Sequence, residues 1–177
     1  MTKVSGREFT DKVIEQIAEE MCLAARTAPK ARGLDLLDMA ILRGERIKKL
    51  SAKMLKIGEK LNNHTFLRDG DNILKASAVV LIGSKTQYLG LKYCGFCGFP
   101  GCAEAEAHNA ICAYNTGDLG IAIGSAVSVA MDRRVDNRVM YSVGKAALDM
   151  GLLDKGVKVA FGIPLSATGK NPFFDRK

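Results

Sequence analysis

From residue 8 to residue 27, apolar side chains return every three or four positions. Phe9, Val13, Ile14, Ile17, Met21 and Ala24 fall on one face, and Glu15, Glu19 and Glu20 fall off it. That spacing predicts an amphipathic helix. Thr10 is placed to cap its start, and Pro29 ends it. LDLLDMAILRG predicts a second helical stretch and GERIKKLSAKMLKIGEKLNN a third, with Gly44 between them. Asn62, Asn63 and the segment RDGDN carry turn chemistry.

The period then changes. Lys75 to Gly83 (KASAVVLIG) is a continuous apolar, β-branched run of strand length, which predicts a buried strand. Asp118 to Met131 predicts a helix of small apolar residues, with Asp118 as its N-cap and Gly120, Gly124 and Ser125 permitting close packing. Asn137 to Gly151 predicts another helix, closed by Gly151. Val157 to Ile163 (VKVAFGI) predicts a second strand, and the tail PLSATGKNPFFDRK a surface segment. The expected fold class is α+β: one helix-rich domain, residues 1–177, around a small β-sheet. Two strands are marginal, so another strand or a second copy of the chain should complete the sheet.

Composition narrows the class. Hydrophobic residues make up 47% of 177 residues, enough for a core without disulfides. No apolar run reaches membrane-spanning length, and MTKVSGREFTDKV lacks the apolar core of a signal peptide. A cytoplasmic protein without a membrane partner is expected. The net charge of +7 is spread over separate clusters, RTAPKAR, RGERIKK and MDRRVDNR, with no recognition motif, so no nucleic-acid partner is expected. LGIAIG lacks the glycine spacing of a dinucleotide fingerprint, and SATGK does not match a phosphate loop. With two histidines and no paired carboxylates to place, no catalytic residue is assigned.

The densest chemistry lies in CGFCGFPGCAEAEAHNAIC. Cys94, Cys97, Cys102 and Cys112 stand in a C-x2-C-x4-C-x9-C pattern. In a reducing compartment, clustered thiols point to a soft metal centre rather than to disulfides. Zinc is one candidate, but its sites favour two C-x2-C knuckles, and the second is missing. His108 falls inside a helical stretch, where a lone histidine is ordinarily solvated or packed. An iron–sulfur cluster is the other candidate, since a cubane needs four converging thiolates. Gly95, Gly98 and Gly101 allow the backbone to approach closely. Pro100 stiffens the loop, and Phe96 and Phe99 can exclude water. Residues 94–112 are therefore the expected cluster-binding segment, with Cys94, Cys97, Cys102 and Cys112 as metal ligands. Cys22 stands apart among alanines and reads as core.

The run from Cys94 to Cys102 resembles the four-iron four-sulfur domain of electron-transfer subunits in anaerobic metabolism, which carries CGxCGxPGC, an alanine-rich helix and a later cysteine. That family's last spacing is longer than the nine residues before Cys112. Over nearly its whole length the chain resembles a functionally unassigned family of ferredoxin-domain proteins. The matching segments are MCLAARTAPKARGLD, the cysteine run, DLGIAIGSAVSVA, VDNRVMYSVGKAALDMGLL and FGIPLSATGKNPFFDR. These resemblances imply a [4Fe–4S] cluster and electron transfer to or from a redox partner protein or a bound flavin.

The order of elements is also similar to the nitroreductase family, FMN-binding α+β homodimers. That likeness implies a nitroreductase-like fold, FMN as a second candidate cofactor, a flavin oxidoreductase activity fed by the cluster, and a homodimer. Where that family carries a serine and an asparagine near the flavin, this chain has Lys30 and Gly33. The family's arginine-serine-arginine phosphate motif is not evident. Arg26, Lys30 and Arg32 are instead candidate phosphate contacts, or a helix C-terminus answering its own dipole. A third reading is a non-enzymatic module stabilised by its metal.

Overall fold

The computed structural model describes residues 6–174. The first residues of the leader reading and the last three of the tail lie outside the described residues. Helix α1 (Gly6–Thr27) and strand β1 (Leu37–Leu42) are followed by helices α2 (Glu45–Leu61) and α3 (His64–Ile73) and strand β2 (Ala78–Lys85). The cysteine segment carries α4 (Cys102–Ala107) and leads into α5 (Ala113–Asp132). Strand β3 (Asp136–Asn137), helix α6 (Tyr141–Asp149) and strand β4 (Val157–Ser166) complete the chain, with a 3-10 turn at Pro172–Phe174.

The four strands form one antiparallel sheet in the order β1-β2-β4-β3. Strand β2 is central, and helices cover both of its faces. Ala78, Val80 and Ile82 point to α1 and α5, where they meet Ile14, Met21, Leu119 and Ala126. Val79 and Leu81 point to the other face, among Leu50, Met54, Val143 and Phe173. Burial on both faces is why β2 reads as an unbroken apolar run. Helix α6 lies directly on β4. A Cβ on Gly144 would stand 1.9 Å from the Ala160 carbonyl oxygen, so only glycine permits that approach.

The expected α+β architecture holds, and the sheet closes within one chain. Several local expectations are corrected. Leu37–Leu42, expected to be helical, is the edge strand β1. Leu37, Met39 and Ile41 pack in the α1/α5 core while Ala40 and Leu42 join the other one. This is a period of two, imposed by pairing with β2.

The RDGDN segment is helical, inside α3, because tertiary partners take up its polar groups. Asn63 caps the helix by accepting from the Thr65 and Phe66 amides. Ser142 Oγ donates to buried Asp69, and Asn72 donates to the Phe173 carbonyl at 3.4 Å. Thr10 lies within α1 and donates back to the Gly6 carbonyl at 2.8 Å. The tail is not wholly superficial: Pro172 and Phe173 are buried.

Candidate functional site

Between β2 and α4 the chain runs through a loop that returns on itself at two left-handed glycines, Gly95 (φ 88°) and Gly98 (φ 85°). The Gly98 amide donates to the Gly95 carbonyl at 2.9 Å. A side chain at either position would be strained in that conformation. This turn sets Cys94 and Cys97 on one side of the loop. Cys102 then opens α4, and a left-handed Asn109 (φ 51°) reverses the chain toward Cys112. Cys112 is the N-cap residue of α5 and is 7% exposed. Helix α5 thus starts ahead of Asp118, the expected cap. Asp118 instead accepts from the Ala31 amide through both carboxylate oxygens, each at 3.1 Å.

All five cysteines are free thiols. Cys94, Cys97, Cys102 and Cys112 line one cavity, with Tyr88, Leu89, Phe99 and Tyr114 among its other walls. They arrive from the loop, the start of α4 and the start of α5. The space among them is about 20 Å³, room for about one water molecule. Among the described residues no group of three or more His, Cys, Asp or Glu side chains is gathered as ligands of a metal ion. Four thiols with no nitrogen or oxygen donor suit an iron–sulfur cluster and also suit zinc. The body of an iron–sulfur cluster is larger than the space among these thiols, so holding one would require the site to open.

Tyr88 holds the fourth thiol's neighbourhood in place. Its hydroxyl donates to the carbonyl of Ala110 at 2.7 Å and lies 3.2 Å from that of Ala105. Partial burial pushes the phenol up from its ordinary pKa. The charge of Glu106 adds to that shift, as does negative charge at Cys112, Cys97 and Cys102 in the thiolate form. The phenol therefore keeps its proton and remains a donor. Asn115, in the first turn of α5, accepts from the Gln87 amide at 2.8 Å. Its own Nδ2 is buried without a partner. Neither residue is signalled by the sequence: Tyr88 precedes the motif, and Asn115 reads as part of a turn.

The aromatic residues cover the loop differently. Phe99 stacks on His108, with centroids 5.1 Å apart, and His108 Nδ1 lies 2.9 Å from the Glu104 carbonyl, away from the thiols' cavity. Phe96 stacks on Tyr114 at 5.9 Å and stays exposed, as does Tyr93. Cys22 packs against the α1/α5 core, where burial pushes its thiol up despite the charge of Arg26.

The three candidate phosphate contacts are engaged within the chain. Lys30 Nζ donates to the carbonyls of Ala25, Arg26 and Ala28 at 3.1, 2.8 and 2.8 Å. Those are all the protons an ammonium has. Arg26 pairs with Asp35 and donates to the Leu37 carbonyl at 3.1 Å. Arg32 donates to the Leu89 carbonyl at 2.6 Å, which ties its turn to the cysteine loop. As arranged, Lys30 has no proton left for a flavin phosphate, while Arg26 and Arg32 each commit one guanidinium nitrogen within the chain.

Comparison with known proteins supplies a family and a fold. The model of a family described as "Uncharacterized protein containing a ferredoxin domain" matches residues 108–176, a span that includes Cys112 but begins after the first three cysteines. An uncharacterized protein of Archaeoglobus fulgidus is 38% identical over 181 residues, covering 98% of this chain and 97% of its own length. Among solved structures, a nitroreductase with bound FMN from Desulfitobacterium hafniense superposes with a TM-score of 0.60 at 12% identity, over 96% of this chain and 81% of that one. A nitroreductase from Lactococcus lactis in complex with nicotinic acid gives 0.60 at 14% identity, over 91% and 84%. At such identities the likeness is one of fold. Among the described residues no helix is long and apolar enough to cross a membrane.

Proposed function

The chain belongs to the family of uncharacterized proteins containing a ferredoxin domain, and from that premise we propose that it is an iron–sulfur redox protein. In this reading residues 94–112 hold one [4Fe–4S] cluster through Cys94, Cys97, Cys102 and Cys112. The observation that carries it is that four free thiols from three backbone segments line one cavity. A cluster so held supplies one-electron transfer.

The chain's own residues bind and shield it. The turn through Gly95 and Gly98 aims two thiols and leaves no side chain in the way. Cys112 lies where α5 begins, at the positive end of that helix. Phe99 and Leu89 keep water from the cavity. Phe96 and Tyr93, exposed beside the loop, offer an apolar contact for a redox partner protein. A homodimer is part of the same reading, and the molar mass in solution measures it.

Purification without oxygen, with iron and acid-labile sulfide measured per chain, tests the proposal. About four of each are expected, with a paramagnetic signal on one-electron reduction. Stoichiometric zinc and no sulfide would replace this reading with a structural metal module.

A second reading, a flavin oxidoreductase fed by the cluster, is favoured by the nitroreductase-like fold. It is opposed by the engagement of Arg26, Lys30 and Arg32. FMN released on denaturation of the purified protein, in amounts matching the chain, would establish it.

A further inference from the structure

A second concavity adjoins the thiols. Ala113 and Tyr114, which wall the cysteine cavity, also wall an open cleft of about 430 Å³ on the far side of the cysteine loop. The cleft runs between the Pro29–Ala31 turn and the exposed side of α5, where Gly117 and Ile121 form its floor. Phe96 reaches it from the cysteine loop and stacks on Tyr114 with the rings 28° apart. The volume is that of a small-molecule site.

We infer that this cleft takes an uncharged planar aromatic ring system, held by ring contact and without a phosphate anchor. Its two charged side chains are both satisfied. Asp118 is bonded by the Ala31 amide, and Lys30 spends its three protons on carbonyls at the end of α1. The negative end of the α1 dipole further offsets the lysine charge. Lys30 therefore has no proton left over for an anionic group. What the cleft offers is a flat apolar slot, edged by two stacked rings, against which a third ring can lie. The fold's FMN-bound relatives suggest a phosphate-anchored flavin, and here Lys30, the cation that lines the cleft, is occupied.

The proposal uses the cluster reading only to explain why an electron-accepting ring would sit one side chain away from the thiols. Two failures are therefore separable. Lumiflavin and FMN share one ring system and differ in the phosphate-bearing tail, so they are the probes. Fluorescence quenching of each by the oxygen-free protein gives its Kd, with iron and sulfide measured on the same sample.

Lumiflavin is expected to bind, with FMN tighter by less than about tenfold, the equivalent of a missing charged contact. Gly117→Leu fills the cleft without strain, since a Cβ there meets nothing within 4 Å and leucine favours the helix. It should weaken lumiflavin by about tenfold or more. Gly120→Leu, equally open but outside the cleft, should bind as the parent does. The inference is overturned by FMN binding tighter by about tenfold or more, by no lumiflavin binding, or by Gly117→Leu binding unchanged. Binding in a chain free of iron and sulfide sinks the cluster and keeps the cleft. The reverse result keeps the cluster and sinks the cleft.

Discussion

The hydroxyl of Tyr88, a residue lining the cavity that the four thiols share, donates to the carbonyl of Ala110 at 2.7 Å. Tyr88 follows β2, a rigid strand at the centre of the sheet, and Ala110 lies two residues before Cys112. The bond therefore couples the fixed core to the segment that delivers the fourth thiol.

Tyr88→Phe should keep the fold and loosen the site. The Ala105 carbonyl still accepts from the Ala110 amide at 2.9 Å, but the Ala110 carbonyl loses its donor. Groups that orient ligands commonly change metal retention by about tenfold or more. The iron–sulfur absorbance of the variant should therefore decay about tenfold faster on exposure to a chelator. Far-ultraviolet circular dichroism should be unchanged. An unaltered decay would show that Cys112 needs no such tether.

Gly144 and Gly124 should respond oppositely to alanine. At Gly144 the added methyl would meet the Ala160 carbonyl at 1.9 Å, and α6 would have to lift off β4. Overpacking of this kind costs about 3 kcal/mol. At Gly124, on the exposed side of α5, nothing lies within 4 Å. The helix should gain about 0.5–1 kcal/mol. Urea unfolding of the two variants measures both.

The same contrast explains what could be read from the sequence. Helix α1 and strand β2 were legible because each presents the chemistry of its own surroundings: one apolar stripe for one buried face, an unbroken run for two. Leu37–Leu42 was not, because Leu, Met and Ala suit a helix locally and only pairing with β2 makes the segment a strand. RDGDN misled for the opposite reason. Its turn-forming side chains find partners distant in sequence, Asp69 with Ser142 and Asn72 with Phe173. The cysteine site was legible as a spacing of four thiols, and folding brings all four to one cavity. Its supports, Tyr88 and Asn115, were not, because their roles rest on backbone groups brought near by folding.

Asp35 makes stability depend on acid. Burial alone would raise its pKa, but the hydrogen bond from Arg26, the Leu37 amide and the charges of Arg26 and Lys30 outweigh that and hold it below the ordinary carboxylate value. The folded state thus binds this proton less readily than the unfolded chain. The stabilisation is present above the unfolded carboxylate pKa and is lost as pH falls through the lower, folded value. Asp35→Asn should remove that part of the acid dependence and leave neutral-pH unfolding only slightly easier, since the pair is exposed. Melting temperatures from neutral to strongly acidic pH check the sign. A variant with the same acid limb as the parent would refute it.

Cys112 is the ligand on which the proposed function is most exposed. It is the most buried of the four, the only one inside the span matched by the family model, and the one farthest along the chain from its neighbours. If it ligates iron, Cys112→Ser should lower bound iron and sulfide as far as Cys97→Ser does, because a cubane missing one thiolate is open to solvent at one corner. Cys22→Ala should leave both unchanged, since Cys22 sits on α1 against the hydrophobic core. Burying a hydroxyl at position 112 carries its own cost of about 1–3 kcal/mol. Cys112→Ala is therefore the companion variant, one that removes the thiol without adding a polar atom. Full iron and sulfide in Cys112→Ala, with an unaltered paramagnetic spectrum, would assign the fourth corner to another group and leave Cys112 a buried core residue.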